Sequence, residues 1–455
     1  MKISDEKTCM KIIYATVLMA CTLLLCESAS AAQPAQPAAQ PTPPEAPISA
    51  PSSTAQKLYS MARNDLLQVR VLLKNGHAQA SVGSGFLIGT SDLVVTNYHV
   101  VSEIAREPDT YTGEYIDTLG QHGSVELLAV DVLHDLAIVR INRHGDGFLN
   151  VPEPGLELKQ GQYLYSLGNP LDLGFAISEG AYNGVITRGF SDQLMFTGPI
   201  NAGMSGGPNV TDSGQVAGVN VAKRLDGELV SFLVPVRFVQ DLLKKVAAQS
   251  STPPHDFNAV VGEQLLQHQA LMMDKLLETP LTLKTLGPYQ VPVRESDQVR
   301  CWGHSTDKAD NPYTVDQIQC AMESAIYVSD QLQTGQVSMR HQLMRSTSLG
   351  ALRFSQLTSN SFKNESFGSS KDQRLTGPEC TEHFVDNQTL SMRAVLCVRA
   401  YRKFAGLYDF SLLIASTDQN LLNLQSRLNA RGVSYENGLR ISRIFLDAIG
   451  RGVKP

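Results

Sequence analysis

Short apolar runs broken by Gly, Asn, Asp and Pro fill the chain from residue 56 to residue 249. Residues 67–72, 85–88, 93–96, 125–130, 136–141, 163–167, 216–221 and 229–234 each read as a strand. Runs of this length, rich in Val, Ile and Leu and separated by turn residues, predict a β-sandwich or barrel. The period changes at Val236. Phe238, Val239, Leu242, Leu243 and Val246 then share one face of a helix that extends to Ala248,. Pro235 stands just ahead, where its missing N–H costs a helix nothing,. After a break at Thr252-Pro253-Pro254, helical spacing resumes over 255–279 with Leu265, Leu266, Met272, Met273, Leu276 and Leu277. A methionine stripe of this kind is core packing. Residues 392–401 and 408–417 predict two strands around Gly406, and residues 438–449 a closing helix. The region 255–455 is therefore expected to be α+β.

The N-terminus follows a different logic. Lys2, Lys7 and Lys11 precede an apolar run over 12–26, and Ala29-Ser30-Ala31 supplies small residues where a signal peptidase cuts. This pattern predicts a secretory signal peptide over residues 1–31. The run is shorter than the roughly 20 residues of a spanning helix, which disfavours an uncleaved anchor. Leu18-Met19-Ala20-Cys21 loosely resembles a lipobox, but apolar sequence continues past Cys21, which disfavours lipidation there,. Residues 32–55 are rich in Pro, Ala, Gln and Ser and show no apolar period. They read as an extended linker.

Composition narrows the class. With 455 residues, two to three domains are expected,. Hydrophobic residues at 42% and charged residues at 18% exclude a wholly disordered chain,. A net charge of −6 gives no basic footprint for nucleic acid,. A mean hydropathy of −0.11 argues against a polytopic membrane protein, so no integral membrane domain is expected after signal cleavage. Beyond the signal region four cysteines remain: Cys301, Cys320, Cys380 and Cys397. An even count in an exported chain reads as two disulfides, for which three pairings exist. Proximity favours Cys301 with Cys320 and Cys380 with Cys397. Neither pair has C-x-x-C spacing, so zinc is disfavoured. No metal or organic cofactor is expected, because Asp and Glu are scattered rather than grouped as in a calcium loop.

Three segments carry chemistry. In Leu93-Val94-Val95-Thr96-Asn97-Tyr98-His99 a strand delivers His99 to a turn or short helix. A neutral imidazole is the usual general base near pH 7, although a lone histidine is more often structural. In Asp131-Val132-Leu133-His134-Asp135-Leu136 an acid directly precedes an apolar strand. A catalytic histidine needs a carboxylate on its second nitrogen, and Asp135 is favoured over Asp131 for its position. His134 reads as an exposed neighbour without a catalytic role. In Asn201-Ala202-Gly203-Met204-Ser205-Gly206-Gly207-Pro208 glycines let the backbone turn sharply about Ser205 and bring its amides together,. An α/β-hydrolase esterase would place its histidine last in the chain, whereas His99 comes first.

In this order, TNYHV, HDLAIV and GMSGGP resemble the chymotrypsin-like serine proteases, most of all the bacterial HtrA/Deg branch. Gly83-Ser84-Gly85, Leu167-Gly168-Asn169-Pro170 and Phe232-Leu233-Val234-Pro235 add to the likeness, which covers residues 56–249. The resemblance implies an all-β double six-stranded barrel over residues 56–250, followed by the α+β, disulfide-containing region. It implies Ser205 as nucleophile, His99 as general acid/base and Asp135 as its orienting partner, with the amides of Gly203 and Ser205 as oxyanion hole. Polypeptides are the implied substrates, and the periplasm or the medium outside is the implied location. The Deg likeness also implies a homo-oligomer, a trimer through the segment near Tyr59 to Leu67.

Two departures matter. Met204 stands where digestive relatives carry the Asp that pairs with a newly cut N-terminus, so activation by such cleavage is not expected. Pro199, six residues before the serine, matches the base of the specificity pocket, and Val219 and Val221 match its wall. None is charged, which implies cleavage after small or medium aliphatic residues. No carboxylate-binding loop of a PDZ domain is evident after residue 250; Phe404-Ala405-Gly406-Leu407 is the nearest candidate and reads as a hairpin turn. The competing reading is a catalytically silent peptide-binding protein or envelope scaffold.

Overall fold

The computed structural model describes residues 52–152, 156–189, 191–223, 229–248, 253–306, 311–363, 373–387 and 390–452. The expected signal peptide and nearly all of the expected linker lie outside these residues. Helix α1 (Ser53–Ala62) begins inside the segment read as linker, capped by the Ser52 hydroxyl, which accepts from Ala55 N at 3.1 Å.

Strands β1 (Leu66–Leu73), β2 (Gln79–Leu87), β3 (Leu93–Thr96), β4 (Tyr111–Asp117), β5 (His122–Asp131) and β6 (Leu136–Arg140) form a closed antiparallel barrel in the order β1-β2-β3-β6-β5-β4. Strands β7 (Tyr163–Gly168), β8 (Ala176–Ile186), β9 (Gln193–Phe196), β10 (Pro208–Val210), β11 (Val216–Lys223) and β12 (Ser231–Pro235) close a second barrel in the order β10-β11-β12-β9-β8-β7. This is the double six-stranded barrel that the resemblance implies. β1 shows why closure is favourable. Successive side chains point to opposite faces: Leu67 and Val69 enter one apolar cluster and Leu66 another, and all three are buried. Paired with β2 on one side and β4 on the other, β1 also has no free edge to protect,.

Helix α2 (Tyr98–Arg106) follows β3 directly, and α3 (Val236–Ala248) has the bounds its period predicts. Val239 and Leu242 of α3 pack in one cluster with Leu136 and Ile138 of the first barrel and Val216 and Val219 of the second. That shared cluster fixes the barrels against each other, and with them the cleft between.

Helix α4 (Asn258–Leu277) ties the next region on. Val261 and Leu265 join the core of the first barrel, while Met272, Met273 and Leu276 lie in the core of the C-terminal region. The methionine stripe is packing, as expected. Beyond it come β13 (Thr282–Leu286), β14 (Tyr289–Val293), β15 (Val299–Ser305), β16 (Tyr313–Met322), β17 (Ile326–Ser329), β18 (Leu332–Thr334), β19 (Gln336–Ser346), α5 (Ala351–Ser361), β20 (Glu379–Asp386), β21 (Ser391–Ala400), β22 (Tyr408–Ser416), β23 (Leu422–Val433), α6 (Tyr435–Asp447) and β24 (Gly450–Arg451). Seven of these strands make an antiparallel sheet in the order β15-β16-β19-β23-β22-β21-β20. Residues 51–455 form one compact unit. The region is α+β, as its periodicities predict.

Both disulfides sit at directly paired positions of this sheet. Cys301 is bonded to Cys320 and Cys380 to Cys397. The first joins β15 to β16 and the second β20 to β21, so each outermost strand is stapled to its neighbour. An edge strand pairs on one side only and frays most easily, so a covalent tie there is well placed. Replacing Cys301 and Cys320 by Ala is expected to lower stability by about 3 kcal/mol. Urea unfolding followed by the fluorescence of Trp302, the single tryptophan, measures this beside the bond; an unchanged midpoint would contradict it.

Candidate active site

β3 ends at Thr96, and His99 is the second residue of α2. The turn between them is held by Asp135. The Asp135 main-chain carbonyl accepts from Asn97 Nδ2 at 2.7 Å and from Tyr98 N at 3.1 Å. Its carboxylate accepts from His99 N at 2.8 Å through Oδ1, and Oδ2 lies 2.6 Å from His99 Nδ1. Asp135 itself is in the left-handed region, at φ +54°. Asp tolerates this better than most residues, but it still costs energy, which the four contacts repay. With Nδ1–H donated to the carboxylate, Nε2 is left as a proton acceptor. Burial opposes a charge on the ring. The Asp135 carboxylate, aided by Asp330 and Glu103, outweighs that and holds the His99 pKa above the ordinary imidazole value,.

Asp131, the rejected alternative, has its own partner. Its Oδ2 lies 2.7 Å from His134 Nδ1. His134 is not the exposed neighbour expected from sequence: only 20% of its side chain is exposed. Its ring stacks on Phe238 of α3 at 3.6 Å between centroids. The aromatic packing face of α3 could not be assigned to a partner from periodicity alone.

The loop 201–207 is fixed peptide by peptide. Ala202 O accepts from Leu171 N at 2.7 Å. Gly203 O accepts from Ser84 Oγ at 2.7 Å. Met204 O accepts from Gly207 N at 3.0 Å and from Asn220 Nδ2 at 3.3 Å. In a trans peptide the N–H points opposite to the C=O. Pinning the carbonyls of Ala202 and Met204 inward therefore turns the N–H groups of Gly203 and Ser205 outward. Neither amide donates to a described protein acceptor. Gly203 has φ +89°, and a Cβ there would overlap the Asn169 carbonyl oxygen, so only glycine fits,.

The serine loop and the histidine helix meet at Gly83. A Cβ at this position would overlap Val100 and fall 3.0 Å from Ser205 O. Ser84 N donates to Ser205 O at 2.7 Å. The Ser205 hydroxyl donates to Val221 O at 3.0 Å, and no described hydrogen bond joins it to His99. The structure thus brings His99 and Asp135 into direct contact and ties Ser205 to β2 through Ser84 N, with its hydroxyl turned to β11. Of the expected pocket residues, Pro199 is exposed and Val221 half-buried. Val219 is fully buried in the barrel cluster and presents no surface to a substrate.

Three supporting residues escaped the sequence reading. Ser84, buried in β2, also accepts from Asn169 N at 2.9 Å. Asn220, fully buried in β11, binds Ser166 Oγ at 2.8 Å and Leu167 O at 3.0 Å besides Met204 O. Gln264 of α4 accepts from Val132 N and donates to Val130 O, both at 2.9 Å, steadying the strand end that leads to Asp135. A polar residue inside an apolar strand, as in Gly218-Val219-Asn220-Val221, is the signal that could have found Asn220.

Residues 83–219 match the trypsin-like peptidase domain family. With the two closed barrels, this makes the region a chymotrypsin-like domain. Its likeness is to the HtrA/Deg branch. HhoA of Synechocystis is 26% identical over 213 residues, 45% of this chain and 52% of HhoA. The "Probable periplasmic serine endoprotease DegP-like" of Brucella suis is 33% identical over 32% of this chain and 29% of its own length. "Serine protease HTRA2, mitochondrial" of Drosophila virilis is 30% identical over 37% of this chain and 41% of its own. The chain spans about half or less of the length of these relatives.

Asn220→Leu keeps the shape of the side chain and removes one hydrogen bond each from Ser166 Oγ, Leu167 O and Met204 O, the last of which keeps Gly207 N. A loss of about 2–4 kcal/mol of stability is expected. Thermal or urea unfolding measures it, and a loss below about 0.5 kcal/mol would show that Asn220 does not hold the loop.

Proposed function

We propose that the chain is an exported serine endopeptidase that cleaves polypeptides through an acyl-enzyme. The observation that carries this reading is the doubly hydrogen-bonded His99–Asp135 pair, set beside a serine loop whose outward amides are unpaired. Ser205 Oγ attacks the scissile carbonyl carbon while His99 Nε2 takes its proton. The carbonyl oxygen becomes an oxyanion held by the N–H groups of Gly203 and Ser205. Collapse breaks the C–N bond, and the imidazolium returns the proton to the leaving amine. Water, deprotonated by the same Nε2, then attacks the ester and frees Ser205. Asp135 keeps Nδ1 protonated and stabilises the imidazolium.

The hydroxyl's bond to Val221 O is the observation that favours the rival, a silent peptide-binding protein. Moving one neutral hydrogen bond from a carbonyl to an imidazole nitrogen changes the energy by only about 1 kcal/mol. That is small against the roughly 3 kcal/mol contributed by one oxyanion donor. The active rotamer is therefore accessible, and the protease reading is preferred.

Pro199 and Val221 offer an uncharged, shallow site, which supports cleavage after Val, Ala or Ile. The residue 1–31 pattern supports export to the periplasm or beyond. In the segment near Tyr59 to Leu67, through which the likeness implies a trimer, Ala62, Leu66 and Leu67 are buried within the chain while Met61 is exposed.

Ser205→Ala or His99→Ala is expected to lower casein turnover by roughly 10^4-fold or more, with the fold retained. Peptide-library profiling is expected to place cuts after Val, Ala or Ile; cuts mainly after Lys or Arg would refute the pocket assignment. The base must be neutral to act, so kcat/KM should fall as pH drops through the raised His99 pKa. The acid limb then lies above the ordinary imidazole value of about 6.5; a limb below it would contradict the electrostatics described.

A further inference from the structure

Residues 323–330 leave the end of β16 and run across the chymotrypsin-like domain. Ser324 lies against the second barrel, where a Cβ on Gly189 would come within 2.6 Å of Ser324 Oγ. Three residues on, Tyr327 stands edge-on to His99 of the first barrel, with ring centroids 5.8 Å apart at 71°. The segment is glued in place rather than resting loosely. Ile326 and Val328 are buried in one cluster with Tyr98, Val100 and Val101 of α2 and with Val261 of α4. Tyr98 Oη also donates to Val328 O at 3.3 Å. The chain of the C-terminal region therefore bridges both barrels as a fixed strap.

Beneath the strap lies a cavity of about 190 Å³, lined by His134, Asp135, Asp192, His268, Ser324 and Tyr327 among others. Asp135 and Val221, both on its wall, bond to His99 and Ser205, but neither His99 nor Ser205 lines it, so it borders the supports of the proposed reacting groups and not the groups themselves.

We propose that the strap 323–330 belongs to the catalytic machinery: Tyr327, edge-on to His99, and Asp330, bonded to Tyr327, are positioning residues for His99. This rests on the protease reading above. Tyr327 Oη donates to Asp330 Oδ1 at 2.6 Å. Burial, and then that bond, push the phenol far above its ordinary value, so it stays a donor at working pH. The charged groups facing His99 are Asp135 from the turn before β6, Glu103 from its own helix and Asp330 from the strap, with Arg106 paired to Glu103. Asp330 favours the imidazolium that forms when Ser205 gives up its proton.

The test compares wild type with Tyr327→Ala, Tyr327→Phe and Asp330→Asn. Casein cleavage followed across pH reports kcat/KM. Tyr327→Ala should lower kcat/KM roughly tenfold, and Tyr327→Phe, which keeps the ring against His99, should restore most of it. Independently of turnover, NMR titration of His99 in a Ser205→Ala background should show a lower pKa when Asp330 becomes Asn, since a carboxylate beside the imidazolium is lost. The acid limb of kcat/KM in Asp330→Asn should move to lower pH accordingly. Unchanged kcat/KM in Tyr327→Ala together with an unchanged His99 titration in Asp330→Asn would overturn the proposal. Absence of cleavage in wild type would count against the protease reading, and the titration would still decide whether the strap acts on His99.

Discussion

A carboxylate set beside an imidazole in a partly closed cleft has to have its oxygens filled, and much of the local structure answers that demand. Asp135 accepts from the His99 amide and ring, and its carbonyl accepts from Asn97 and Tyr98. Those contacts bring the end of β3 onto the start of β6 and fix where α2 begins. They also require Asp135 to occupy the left-handed region. The strain is local, and the support is drawn from farther away. Gln264 of α4 completes the ladder at the end of β5, so a residue of the C-terminal region steadies the turn that carries the acid.

The serine loop is built on the complementary principle. Its carbonyls are satisfied by Leu171, Ser84, Gly207 and Asn220, which turns the amides of Gly203 and Ser205 outward, away from any described protein acceptor. On the protease reading, the oxyanion hole is then formed before any substrate arrives and needs no reorganisation during the reaction. Met204, between the two free amides, is buried, in keeping with a loop set by these bonds.

The chemistry-bearing segments were legible because each is local: a strand running into His99, an acid before a strand, and a serine among glycines. The barrels were legible in part. β4, β8, β9 and β10 were missed because Tyr111–Asp117 and Ala176–Ile186 mix small and polar residues, and Gln193–Phe196 and Pro208–Val210 are only four and three residues long. The central strands of the C-terminal sheet hid for another reason. In β23, Leu424 and Leu428 face the core while Gln425 and Arg427 line the other face. That second face is covered by α5, whose Ser361 Oγ and Thr358 O bind the Gln425 amide. A strand whose polar side is also buried does not announce itself by hydrophobicity. Gln264 and Tyr327 were invisible because their partners lie far along the chain, and Asn220 showed only as a polar residue inside an apolar strand.

On the protease reading, Ser205 needs only to turn its hydroxyl from Val221 O to His99 before it can react, because its amides are already preset. A fluorophosphonate at neutral pH, followed by mass-spectrometric mapping of the adduct, tests it most directly. The account predicts one phosphonyl group per chain, on Ser205, without any added activator. An intact, folded protein that stays unmodified, or carries the group on another residue, would contradict it.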